Sequence, residues 1–102
     1  MSHASDDAFR RALRETQVEA QRLMEATRSA LREDSGLLNG QELADVEAAV
    51  SRLQSVVIGD DRAAIDAAMD GLNAVTAAFA ARRMNQSVQR ALAGRKVEEL
   101  EP

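Results

Sequence analysis

Apolar residues recur at alternating intervals of three and four along three long segments of this 102-residue chain. Because an α-helix turns once in about 3.6 residues, this spacing places each set on one face of a helix. The sets are Phe9, Leu13, Thr16, Ala20, Leu23, Thr27 and Leu31; then Leu43, Val46, Val50, Leu53 and Val57; then Ile65, Ala68, Leu72, Val75 and Phe79. The pattern predicts three amphipathic helices, each with one face to bury.

The composition favours the same fold class. Hydrophobic residues make up 45% of the chain but aromatic residues only 2%, and much of the apolar share is alanine. Alanine, leucine, arginine and glutamate favour helices, whereas sheets favour β-branched and aromatic side chains. The single proline is the last residue of the chain. We therefore predict an all-α protein.

We predict one domain over residues 1–102: an antiparallel three-helix bundle with one long projecting N-terminal helix and a short C-terminal helical extension. The predicted segments are helices at about 6–33, 40–58 and 61–83, an extension at about 86–93 and a polar tail at 95–102. Between Phe79 and Met84 the apolar stripe rotates, so the third helix is expected either to bend near residues 82–86 or to end there. Gly94 is expected to end the helical part.

Local signals mark the ends of the helices. Asn39 followed by Glu42 predicts a capping box at the start of the second helix. Gly59 is expected to end that helix in a left-handed conformation, and Asp60 is expected to cap the third helix.

The first helix is too long for its neighbours. At about 1.5 Å per residue it is roughly 40 Å long, and its C-terminal half feeds a short connection, so its N-terminal half should project beyond the bundle. An apolar stripe without a partner usually marks an interface. The candidate interface residues are Phe9, Leu13, Thr16, Gln17 and Gln21. The predicted core residues are Leu23, Leu31, Leu43, Val46, Val50, Leu53, Val57, Ile65, Leu72, Val75 and Phe79.

The sequence gives little support to catalysis or to nucleic-acid, metal or membrane binding. The formal net charge is −4, so the basic excess typical of nucleic-acid binding is missing. There is no cysteine, and His3 is the only histidine, so a metal site would lack nitrogen and sulfur partners. No stretch approaches the roughly 20 apolar residues of a membrane span. Glu15 and Glu19 lie on a predicted solvated face, where nothing tunes them for acid–base catalysis. We predict no catalytic, cofactor-binding or metal residues, and a cytoplasmic location.

Two other sets of residues have both a functional and a structural interpretation. One set either lines an adaptable binding surface or fills gaps in the core, and we favour the core: Met24, Met69 and Met84. The other set either meets an acidic partner or forms a solvated basic face, and we favour the solvated face: Arg82, Arg83, Arg90, Arg95 and Lys96.

Several runs of residues resemble the C-terminal helical lid of DnaK-type chaperones, the heat-shock protein 70 family. Two of them would suit any member: Gln17-Val18-Glu19-Ala20 with Arg22-Leu23-Met24-Glu25 at the start of the long lid helix, and the turn Gly59-Asp60-Asp61-Arg62. The more specific runs are similar to the end of the iron–sulfur branch, the HscA chaperones: Phe79 to Val88, Arg90 to Gly94 and Val97 to Leu100. The resemblance covers nearly the whole chain.

The resemblance implies a function that spacing alone does not. In the intact chaperone, the long lid helix lies over a β-sandwich domain and covers the bound peptide, and ATP with magnesium acts in a separate ATPase domain. The branch serves the iron–sulfur scaffold IscU with the co-chaperone HscB. This segment should carry no cofactor of its own. Where general DnaK proteins carry an aspartate and a histidine that latch the lid, this chain has Gln21 and Glu25, so the latch role does not transfer.

One other function class remains open. The same bundle could be a free-standing helical adaptor or dimerisation module. The unpaired stripe on the first helix also predicts that the isolated chain forms homo-oligomers.

Overall fold

The protein is a bundle of three helices joined by short connections. A computed structural model describes the backbone of residues 2–100 and the side chains of residues 7–93. Helix α1 spans Ser2–Asp34, a single 3-10 turn spans Ser35–Leu37, α2 spans Gly40–Val57 and α3 spans Arg62–Leu100. No strand occurs within residues 2–100. The all-α prediction is confirmed.

The core is built from aliphatic and small side chains of all three helices. The buried cluster consists of Ala20, Met24, Val46, Ala49, Val50, Leu53, Val57, Ile65, Ala68, Met69 and Leu72. Two threonines are also buried, and each hydroxyl donates to a carbonyl of its own helix: Thr16 to Ala12 at 3.0 Å and Thr27 to Leu23 at 2.8 Å. Among the described side chains, no buried polar atom lacks a hydrogen-bond partner.

Most of the predicted core residues lie inside the bundle. Seven of them are buried: Val46, Val50, Leu53, Val57, Ile65, Leu72 and Phe79. Leu23 and Leu31 are partly buried and pack against the cluster, and Leu43 is partly buried.

Val75 does not belong to the core, since 37% of it is exposed. From Leu72 the buried face of α3 continues through Thr76, whose hydroxyl donates to the Leu72 carbonyl at 2.8 Å, to Phe79. Steps of three and four both satisfy the helical period, so spacing alone could not choose between positions 75 and 76.

The capping box at the start of α2 is present. The Asn39 side chain accepts from the Glu42 N–H at 2.8 Å, and the Glu42 carboxylate accepts from the Asn39 N–H at 3.0 Å. The cap of α3 lies one residue later than predicted, because Asp61, not Asp60, accepts from the Ala64 N–H at 3.1 Å.

The end of α2 is a tight turn without a left-handed residue. Ile58 has helical angles, φ −80 and ψ −10, and the Gly59 N–H donates to the Val56 carbonyl at 3.0 Å. No described glycine has a positive φ. The left-handed conformation predicted for Gly59 is therefore wrong, because a hydrogen bond over three residues closes this end instead.

Helix α3 is continuous to Leu100, so it ends neither near residues 82–86, which was one of the two alternatives predicted there, nor at Gly94. The apolar stripe rotates around the helix, but the backbone has no proline to interrupt it. A glycine in a helix costs only about 1 kcal/mol relative to alanine, which is too little to stop the helix. Residues 101 and 102 of the predicted tail lie outside the described part of the chain.

Two adjacent arginines tie α3 to the end of α1, the start of α2 and the turn between them. Arg82 donates two hydrogen bonds of 2.7 Å to the Glu42 carboxylate and one of 2.9 Å to the Leu37 carbonyl. Arg83 pairs with Asp34 at 2.9 Å and with Glu33 at 3.3 Å. Two members of the predicted basic cluster therefore hold the bundle together. Side chains of Arg95 and Lys96 lie outside the described residues.

From the Arg82–Glu42 pair we predict that the stability of the fold decreases at acidic pH. The pKa of the Glu42 carboxyl falls from 4.5 to about 2, because the Arg82 guanidinium and the Asn39 N–H donate to it. A depressed folded-state pKa contributes stability that is complete above pH 4.5 and is lost as the pH falls towards 2. Thermal unfolding of Glu42→Gln should therefore depend less on pH in that window than unfolding of the parent. Parallel curves would contradict the assignment. Both side chains are partly exposed, so added salt should shrink the difference.

Candidate functional site: the N-terminal end of the first helix

The side chain of Gln17 fastens α1 to the connection between α2 and α3. Its amide nitrogen donates to the Val57 carbonyl and to the Gly59 carbonyl, both at 3.0 Å. The last carbonyls of a helix have no partner within the helix, so this amide satisfies groups that α2 leaves open. Gln17 therefore acts first as a structural contact inside the protomer.

A second contact involves Thr16, the neighbour of Gln17 on α1. The Arg62 guanidinium, at the start of α3, donates to the Thr16 hydroxyl at 3.3 Å. Thr16 is 7% exposed, and Leu13 is partly buried and packs against the core. The expectation that Leu13 and Thr16 lack an intramolecular partner is therefore wrong. The projecting part of α1 is shorter than predicted, because the α2–α3 connection reaches back to these residues.

The part of α1 that precedes Leu13 spans Ser2 to Ala12, and we call it the arm. In its described portion the large apolar side chain is Phe9, which is 52% exposed. Arg10 and Arg11 beside it are also exposed. The arm therefore presents an aromatic ring next to two cationic side chains, on the N-terminal side of the contact that Leu13 makes with the core.

The outer face of α1, turned about 180° from Phe9 at Val18, carries a second exposed surface. Two shallow depressions meet at Val18, which is 38% exposed. The first is lined by Arg11, Arg14, Glu15, Val18, Glu19 and Arg22. The second is lined by Arg10, Arg14, Gln17, Val18 and Gln21. Gln21, one of the predicted interface residues, is exposed here.

Val18 is the part of this surface that the spacing did not predict. It lies outside the buried stripe of α1, so the helical period gave no reason to select it. An exposed valine surrounded by charged side chains on a helix face is the signal that could have identified it.

The described residues form no arrangement suited to catalysis or metal binding. Glu15 and Glu19 are both exposed. Within the described part of the chain, no group of three or more His, Cys, Asp or Glu side chains could hold a metal ion. The His3 side chain lies outside the described part. No described helix is long and apolar enough to cross a membrane.

The methionines divide between the core and the surface. Met24 and Met69 are buried at 5% and 7% exposure and fill the core. Met84 is 71% exposed, so the core role expected for it is wrong. It lies where the stripe of α3 rotates away from the other two helices.

Fold and surface together define an all-helical segment with an exposed aromatic ring and a charged outer face on its first helix. The chain is similar to proteins named as chaperone protein HscA homologs. That of Burkholderia thailandensis is 57% identical over 97 residues, or 95% of this chain. Those of Aromatoleum aromaticum and Azoarcus sp. are 46% and 48% identical over 101 residues, or 99% of this chain. No protein-family model matches the chain.

The chain spans only 16% of the length of each of these relatives. It is homologous to the C-terminal portion of HscA chaperones, and this portion excludes the ATPase domain.

Proposed function

We propose that this chain forms the helical lid of the substrate-binding region of an HscA-type chaperone. In this role it covers a bound client peptide and slows its release during the maturation of iron–sulfur proteins. The observation that carries the proposal is the arm: an exposed aromatic ring lies beyond the point where Gln17 and Thr16 fix α1 to the bundle. Homology to HscA chaperones over 95% of the chain supports the same assignment.

The attachment of α1 explains how a lid of this shape would work. A lid retards release only through contacts that exist when it is closed. The Gln17 and Thr16 contacts fix the direction in which the arm leaves the bundle, so the arm and bundle move together. Phe9 of the arm then forms the surface that meets the peptide-binding domain.

The closed contact would differ from that of general DnaK proteins. Gln21 and Glu25 stand where those proteins carry the latch pair, and both are exposed. A glutamine and a glutamate cannot form the same charged latch with each other, so closure would depend more on the Phe9 ring. The partners in this proposal are the peptide-binding β-sandwich, the IscU scaffold as client and the HscB co-chaperone. ATP and magnesium would act only in the ATPase domain of the intact chaperone.

Exchanging the matching segment of the Burkholderia thailandensis HscA homolog for this chain tests the proposal. The measurement is the dissociation rate of a fluorescent IscU peptide with ADP bound. We expect release about tenfold slower than from the same chaperone with the segment deleted. Equal rates with and without the segment would show that it does not act as a lid.

A pair of matched variants tests the role of the arm in the same chaperone. Phe9→Ser should speed peptide release, because it removes the apolar part of the closed contact. Leu92→Ser is the control, since Leu92 is 54% exposed and Phe9 is 52% exposed, but Leu92 lies at the opposite end of the molecule. The arm would have no special role if both substitutions changed the rate equally.

A further inference from the structure

Beyond Arg83, α3 leaves the other two helices and exposes a row of large apolar side chains. Met84, Val88 and Leu92 are 71%, 49% and 54% exposed. Steps of four keep them within about 80° of arc on one face of the helix. This face lies away from Arg82 and Arg83, which contact the connection between α1 and α2.

The same face continues back along the bundle as a row of small residues. Ala74, Ala77 and Ala81 are all exposed and precede Met84 at steps of three and four. The six residues from Ala74 to Leu92 form one outward seam, which is about 27 Å long at the helical rise. Three of the six residues have small side chains and three have large ones.

The seam fits a second copy of itself in the antiparallel direction. When two copies of α3 are paired about a two-fold axis near residue 83, Leu92 of one faces Ala74 of the other. In the same way Val88 faces Ala77, and Met84 faces Ala81. Each layer then joins one large and one small side chain, which is how helices interdigitate without voids or clashes.

Charge and shape also permit this pairing. The residues that flank the seam are uncharged: Asn73, Ala78, Ala80, Asn85 and Ser87. No like charges therefore oppose each other between the paired residues of the two copies, and the nearest acidic residue on this face is Asp70, beyond the end of the seam. Helices α1 and α2 pack on the other side of α3, so the two bundles would lie at opposite ends of the pair.

We infer that this chain forms an antiparallel dimer through the α3 seam, with Met84, Val88 and Leu92 of each copy packed on Ala81, Ala77 and Ala74 of the other. The contact is isologous, so it closes with two copies and does not propagate. It uses a different surface from the arm and does not depend on the lid role. A seam of this length is smaller than standard protein interfaces, so we expect a dissociation constant on the order of 10 µM or weaker.

Light scattering and sedimentation across a concentration series test the dimer with the full 102-residue chain. The triple variant M84S/V88S/L92S should weaken dimerisation about tenfold or more, since it removes the large half of every layer. Phe9→Ser is the control and should leave the dimer unchanged. Circular dichroism should show that both variants keep the helical content and melting temperature of the parent. A parent that stays monomeric at all concentrations overturns the inference, as does association lost in Phe9→Ser but kept in the triple variant.

Cross-linking tests the antiparallel direction, because the chain has no cysteine of its own. Ala77→Cys and Val88→Cys are prepared separately with tags of different mass, mixed, and oxidised. Antiparallel pairing predicts that the mixed disulfide dominates. Predominant disulfides between two copies of the same variant would show a parallel pair and overturn the proposed arrangement.

Discussion

Leu72→Ala should lower the free energy of unfolding by about 2–5 kcal/mol, the range found for buried leucines cut back to alanine. Leu72 is 0% exposed and belongs to the cluster formed by all three helices. The substitution leaves a cavity that the surrounding helices can close only in part. Leu53→Ala should have a similar effect, because Leu53 is also fully buried on the facing helix α2. Urea unfolding followed by circular dichroism measures both losses.

Val75→Ala is the matched control for Leu72→Ala. The two residues lie three positions apart on α3, and the spacing of the sequence places both in the core. Since Val75 is 37% exposed, its truncation should change the free energy of unfolding by about 0.5 kcal/mol or less. Equal losses from the two substitutions would show that α3 packs in the register that spacing predicts.

Gln17→Glu should destabilise the bundle by about 1–3 kcal/mol, more than Gln17→Ala. The Gln17 amide nitrogen donates to two backbone carbonyls at 3.0 Å, and an ionised carboxylate there has no hydrogen to donate. The new carboxylate would face two carbonyl oxygens, so its pKa should rise in the folded state. A raised pKa of an acid means that the loss is complete at neutral pH and diminishes as the pH falls.

The control for this effect lies one helical turn further along α1. Gln21→Glu makes the same chemical change at an exposed position, and its effect should stay within about 0.5 kcal/mol. Denaturant unfolding at neutral and mildly acidic pH gives both free energies. If the two glutamate variants lost the same stability at every pH, Gln17 would not be the fastening contact between α1 and the α2–α3 connection.

The fold class could be predicted from the sequence because the spacing of apolar residues and the helix caps depend only on residues close together in the chain. Asn39 and Glu42 form the predicted box, and Leu53, Ile65 and Leu72 are fully buried. The predictions were wrong where contacts between distant parts of the chain decide between two positions that fit the helical spacing equally well. Position 76 replaces position 75 on the inner face of α3, and the rotation of the stripe after Phe79 takes α3 out of the bundle without ending it.

The candidate site was harder to predict than the fold. Spacing alone could not show that the α2–α3 connection reaches back to Thr16 and Gln17, because those contacts join residues about forty positions apart in the chain. Phe9 and Gln21 keep the exposure that an interface needs, whereas Leu13 and Thr16 are used within the protomer. The resemblance to a chaperone family, not the periodicity, is what connected this surface with a lid.

Helix α3 is one unbroken rod, and this has a mechanical consequence. At about 1.5 Å per residue its 39 residues extend roughly 58 Å, from the base of the arm to the far end of the molecule. Because Arg62 at its first turn touches Thr16 of α1, any tilt imposed where the arm meets a partner is imposed on the whole rod. A rotation of about 10° at that end would displace the other tip by roughly 10 Å. Under the proposed lid role, a small tilt of the arm would therefore produce a large displacement at the far tip of α3.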